Sequence, residues 1–168
     1  MLERLSQVMW SWLMESLGRS HKMRTKNIDL IKEHEGLVLK AYLPTPNDKW
    51  TIGYGHTKGV KPGDVITEEQ AELLLREDLD WVEDCINKYV KVPLTQNQFD
   101  ALASLVFNIG EGNFLNSSVL RWLNSKGYKE AADCFVLWNK QRNKRTGKLE
   151  VLNGLTKRRQ KEKELFLK

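Results

Sequence analysis

The sequence predicts an α+β fold, mostly helical, with a small N-terminal β-sheet lobe and a long connecting helix. Two runs open as capping boxes, Thr67-Glu68-Glu69-Gln70 and Thr95-Gln96-Asn97-Gln98, and each continues with apolar residues at helical spacing. Two short strand-like stretches, Leu37 to Tyr42 and Trp50 to Tyr54, flank the turn-forming Pro44-Thr45-Pro46-Asn47-Asp48. At 168 residues the chain is one domain or a close pair of lobes, with no internal repeat to suggest otherwise.

Taken in order, residues 1–22 carry Leu2, Leu5, Met9, Trp12, Leu13 and Leu17 on one helical face. Glu3, Arg4 and Glu15 argue against a secretory signal, and no apolar run reaches the roughly 18 residues of a spanning helix. An interfacial helix on an anionic membrane surface and a helix packed on the body both fit. Residues 1–25 are read as an amphipathic extension and residues 26–168 as the main domain. Asn27 or Thr25 is the expected cap of a helix ending near Glu35, with Gly36 just past its C-terminus. The helix begun at Thr67 carries Leu73, Leu74, Asp78, Trp81 and Ile86 and stops before Pro93. The one begun at Thr95 runs to Gly110. Ser117 caps a helix to Asn124, and further helices are expected over Lys129–Trp138 and Gly154–Phe166. Between the last two, NKQRNKRTGK reads as a polar, basic loop. Trp50, Trp81 and Trp122 are assigned to the core.

The net charge of +5 suggests an anionic partner without choosing one. Cys85 and Cys134 lack metal-type spacing and read as free thiols, and no metal or organic cofactor is implied.

Chemistry concentrates between Glu35 and Thr57. Glu35 falls at a helix C-terminus, where the dipole is negative and favours the protonated, proton-donating acid. Asp48 sits in a polar turn that favours the carboxylate, and Thr51 follows on the next strand, placed to hold a water. Two carboxyl groups in contrasting environments are what glycoside hydrolysis uses. As residues alone, they also fit two exposed charges beside a turn. Gly53 and Gly55 fit either a bend or the close approach of a sugar to backbone.

Three stretches together resemble the phage-type lysozymes of glycoside hydrolase family 24. They are Glu35-Gly36-Leu37 with Tyr42 and Trp50 to Thr57; Phe107 to Phe114 with Ser117 to Arg121; and Trp138 with Gly154-Leu155, Arg158-Arg159 and Glu162 to Phe166. The resemblance spans nearly all of residues 26–168. It implies a lysozyme-like fold of two lobes with the glycan in the cleft between them. It implies cleavage of the β-1,4 bond from N-acetylmuramic acid to N-acetylglucosamine in peptidoglycan. Glu35 becomes the acid, and Asp48 with Thr51 the holders of a water. The spacing departs from the family in one place. The family pattern is Glu, eight residues, Asp, five residues, Thr; here Pro44 stands where the aspartate belongs, and fifteen residues separate Glu35 from Thr51. Asp48 is the only acid between them and takes the role. Carboxyl groups about 6.5–9.5 Å apart would invert the anomeric centre, and about 5–5.5 Å would allow retention.

The resemblance also implies that Asn108 and Trp138 face the cleft, although on residues alone Trp138 reads first as core packing; Gly55 is taken with them as a substrate contact. The resemblance pairs His56 with Asp78 as a structural ion pair. It implies a monomeric endolysin, made in the host cytoplasm and acting on the periplasmic wall after the membrane is breached by a separate holin-type pore. The cations at Lys140 to Lys148 and at Lys157, Arg158 and Arg159 read as a solvated face or as attraction to the anionic wall or outer membrane. A nucleic-acid binder would need a recognition helix or an aromatic and basic platform, which the sequence lacks. The absent aspartate at position 44 keeps an inactive wall-binding module as the competing reading.

Overall fold

The computed structural model describes residues 22–168. The apolar face expected on residues 1–22 therefore lies outside the described residues, apart from Lys22. Residues 22–27, in neither helix nor strand, lie against the body. Met23 N–H donates to Asn87 Oδ1 at 2.9 Å, and Thr25 N–H donates to the buried Glu83 at 2.8 Å. The N–H groups of Lys26 and Asn27 donate to the two oxygens of the buried Asp100. These carboxylates explain why so polar a segment stays in place: each satisfies backbone donors that have no helix or strand partner.

Helix α1 spans Asp29–Glu35. Neither expected cap serves it. Its N-cap position is Ile28, Thr25 is engaged by Glu83, and the Asn27 side chain instead accepts from Asp29 N–H at 3.1 Å. Gly36 ends the helix at φ +73°, a left-handed conformation that favours glycine. Strands β1 (Val38–Tyr42) and β2 (Thr51–Gly53) pair antiparallel, with Val38 opposite Gly53 and Tyr42 opposite Thr51. Three residues lie between the pairs on β1 and one on β2, so the register is irregular between them. The other edge of β1 is covered where Ala41 N–H donates to Asp64 O and Ile66 N–H to Leu39 O.

Both capping boxes form. Thr67 opens α2 (Glu68–Asp78) and Thr95 opens α4 (Gln96–Ile109), each exchanging two hydrogen bonds with the glutamine three residues on. The long connecting helix is α2 followed by α3 (Asp80–Tyr89), separated by the buried Leu79. Helix α4 is buried at every position from Phe99 to Val106, which makes it the central helix. Around it come α5 (Glu111–Leu115), α6 (Ser118–Asn124), α7 (Tyr128–Asp133) and α8 (Asn153–Phe166). Phe135 and Phe166 meet edge to face at 5.5 Å.

Four expectations need correction. Lys129–Trp138 is not one helix: α7 tightens into a 3-10 turn over Cys134–Trp138. The basic loop is partly a hairpin, β3 (Lys140–Arg142) against β4 (Leu149–Val151). Trp81 and Trp122 are not core residues, since each is 42% exposed. The buried face of α3 is Val82, Cys85 and Ile86, and Trp81 lies off it; Trp122 instead covers Gly127. Arg158 and Arg159 are buried rather than part of a solvated face. Cys85 and Cys134 are free thiols, as expected.

Candidate active site

Glu35 sits at the last position of α1, one residue before the chain turns at Gly36 into β1. Its Oε1 accepts from Arg158 Nη1 at 2.6 Å. The expectation of an acid governed by the helix end alone omits this partner. Arg158 is held from behind: its Nε donates to Glu162 Oε1 at 3.1 Å, and its Nη2 donates to Ser104 O at 3.1 Å. The fully buried Glu162 also receives the Ser104 hydroxyl at 2.7 Å and Arg159 Nη2 at 3.0 Å. Arg159 Nε lies 2.7 Å from Glu162 Oε2 but is misaligned for a hydrogen bond, so that contact is one of charge. Burial pushes the Glu162 carboxyl up, against Arg159, the Ser104 hydroxyl and Arg158. The chain thus anchors Glu35 through α8 and α4, distant in sequence from α1.

Beside Glu35, the buried His34 Nε2 has no hydrogen-bond partner among the described residues. Burial holds the imidazole below its usual pKa, and the neighbouring Arg158 adds to that effect.

Asp48 lies in the turn that the two prolines predict. Its N–H donates to Thr45 O at 2.9 Å, and its Oδ2 accepts from the Thr45 hydroxyl at 2.7 Å. Thr51 is buried at the start of β2, where its hydroxyl donates to Lys49 O at 3.0 Å. That bond commits the Thr51 proton and leaves the oxygen as an acceptor. Pro44, Asn47, Asp48, Lys49, Thr51 and Thr57 line one recess of about 470 Å3. Asp48 therefore shares a wall with Pro44. Glu35 is not in that lining, so Asp48 and Thr51 are brought together while Glu35 is held separately against Arg158.

His56 Nδ1 lies 2.9 Å from both oxygens of Asp78, and its Nε2 is 2.9 Å from Lys58 O. Each ring nitrogen of His56 thus faces an acceptor, the Asp78 carboxylate on one side and the Lys58 carbonyl on the other. The loop from Ile52 to His56 closes through a reciprocal pair of backbone hydrogen bonds at 2.9 Å. A side chain at Gly53 (φ +65°) would touch Ala71 at 3.4 Å, whereas one at the exposed Gly55 (φ +95°) would meet open space; both positive φ values favour glycine. The bend thus uses both glycines. Asn108 is exposed near the end of α4, and Trp138 is half-buried against the core.

Reasoning from sequence missed the role of Arg158. The signal was present: Glu162 lies four residues after Arg158 and three after Arg159, spacing that brings the charges together on a helix.

The phage lysozyme family model matches residues 32–162. The endolysin of Acyrthosiphon pisum secondary endosymbiont phage 1 is 52% identical over 141 residues, which cover 84% of this chain and 94% of that protein. The endolysin of Salmonella phage P22 is 46% identical over 151 residues, covering 87% and 98%. Among solved structures, the muramidase domain of SpmX from Asticaccaulis excentricus is similar at a TM-score of 0.79 and 44% identity, covering 84% of this chain and 94% of that one.

Proposed function

Because the chain belongs to the phage lysozyme family, we propose that Glu35, Asp48 and Thr51 perform its hydrolysis of peptidoglycan. The protein is an endolysin, a glycoside hydrolase that cleaves the β-1,4 bond between N-acetylmuramic acid and N-acetylglucosamine for host cell lysis. In the proposed division of labour, Arg158 holds Glu35 by Oε1, and Oε2 delivers the proton to the departing glycosidic oxygen. A water in the Asp48 recess places one hydrogen on the Thr51 oxygen. Asp48 takes the other as the water attacks the anomeric carbon.

The observation that carries this reading is the shared lining of Pro44, Asp48 and Thr51. A turn longer by one residue still supplies a carboxylate beside the threonine. Gly55, Asn108 and Trp138 complete the substrate contacts. The enzyme works as a monomer, is made in the host cytoplasm, and reaches the periplasmic wall through a separate pore-forming partner.

Attack by water in one step inverts the anomeric centre. Proton NMR of the first reducing ends released from purified peptidoglycan, read before mutarotation, is expected to show the α-anomer. A first product in the β configuration would make Asp48 a nucleophile and refute the water-holding role.

A further inference from the structure

The β3–β4 hairpin presents a mixed face that the glycosidase chemistry does not use. Its pairs are Lys140 with Val151, Gln141 with Glu150, and Arg142 with Leu149. Residues directly opposite in an antiparallel pair share a face, and faces alternate along each strand. Lys140, Arg142, Leu149 and Val151 therefore lie on one side, and Gln141 and Glu150 on the other. Asn143 Nδ2 donates to Glu150, which ties the acid to that second side.

Leu149 is 61% exposed and Val151 55%. Within residues 136–152 fall five of the twelve large apolar side chains that are exposed among the described residues. The same stretch is cationic. Lys140, Arg142, Lys144, Arg145 and Lys148 against Glu150 give a net charge of +4 over residues 140–150. A two-stranded ribbon that leaves leucine and valine in water is without the cover such sheets ordinarily need.

We propose that this hairpin docks on an anionic lipid bilayer, with Leu149 and Val151 entering the headgroup boundary and the surrounding cations meeting lipid phosphates. The charge complementarity favours an anionic surface, and the exposed leucine and valine favour a lipid interface over a soluble polyanion. The surface is built from residues 140–151 and does not depend on the roles of Glu35, Asp48 and Thr51.

The test is sedimentation of the full chain with vesicles of mixed phosphatidylglycerol and phosphatidylethanolamine, and with phosphatidylcholine alone. Wild type is expected to bind the anionic vesicles and not the neutral ones. The double substitution Lys144→Ser/Arg145→Ser is expected to weaken binding more than about tenfold at low salt. Leu149→Ser/Val151→Ser is expected to weaken it by about tenfold at every salt concentration, with unchanged circular dichroism and wall hydrolysis. Several results would overturn the proposal: either variant binding like wild type, which moves the attachment to residues 1–22; equal binding to phosphatidylcholine; or no vesicle binding while purified glycan strands capture the chain through the hairpin.

Discussion

Replacing Glu162 with glutamine removes the one acidic group between Arg158 and Arg159 while keeping shape and one acceptor oxygen. In the native protein, its Oε1 receives Ser104, Arg158 and Arg159. Arg158 is 3% exposed and Arg159 and Glu162 are at 0%, so water is not available to replace the lost charge. Breaking a buried ion pair from one side costs about 3–5 kcal/mol, because the remaining charge stays buried and uncompensated. Arg158 keeps Glu35 as a partner, and glutamine keeps an acceptor, so the lower end applies. In a chain of this size, about 3 kcal/mol corresponds to a Tm lower by roughly 6–12 °C. Out of a total stability of about 5–15 kcal/mol, the variant still folds at room temperature. Thermal melts by circular dichroism and urea midpoints at neutral pH measure the loss. A Tm within about 1 °C of wild type would refute the reasoning, since it would mean that Glu162 is already protonated in the native state.

Asp78→Asn removes one charge from the His56 contact while preserving an acceptor; a loss of about 1–2 kcal/mol in urea unfolding is expected, with modest change in wall hydrolysis. Equal midpoints would contradict the ion pair. His34 bears on pH dependence. Its folded pKa lies below the ordinary value of 6.5, so the unfolded chain binds the proton more readily. Its contribution is fully present above 6.5 and is lost as pH falls from there through the lower folded pKa. Wild-type Tm should therefore fall between pH 7 and 5 more steeply than that of His34→Gln, and parallel profiles would exclude His34 as the cause.

Much of the molecule was legible because its signals are local. The Thr67 and Thr95 boxes mark true helix starts since each satisfies two backbone donors within four residues. The turn at Pro46 and Asp48 and the bend around Gly53 likewise follow from backbone preference. What sequence missed is determined at long range. The ribbon at Lys140–Val151 has no apolar residue on its first strand, and Leu149-Glu150-Val151 on its second is too short an alternation to mark a strand by itself. Arg158 and Arg159 read as surface charges because arginine is seldom buried unless paired; Glu162 pairs with both from the same helix, but the further partners that bury Arg158, Glu35 and Ser104, come from other elements. Trp81 and Trp122 read as core by size, yet their helices bury adjacent faces. The Asn27 cap failed because the segment before α1 is organised by Glu83 and Asp100, far along the chain.

The division of labour among the carboxyl groups is tested most directly by release of reducing ends from purified peptidoglycan, comparing wild type with Glu35→Gln and Asp48→Asn at matched folding. Hydrolysis by wild type, with a loss of at least about a hundredfold in each variant, is the expected result for a general acid and a water-activating base. An Asp48→Asn enzyme as fast as wild type would take the second role away from Asp48, and an active Glu35→Gln enzyme would contradict the assignment of the acid.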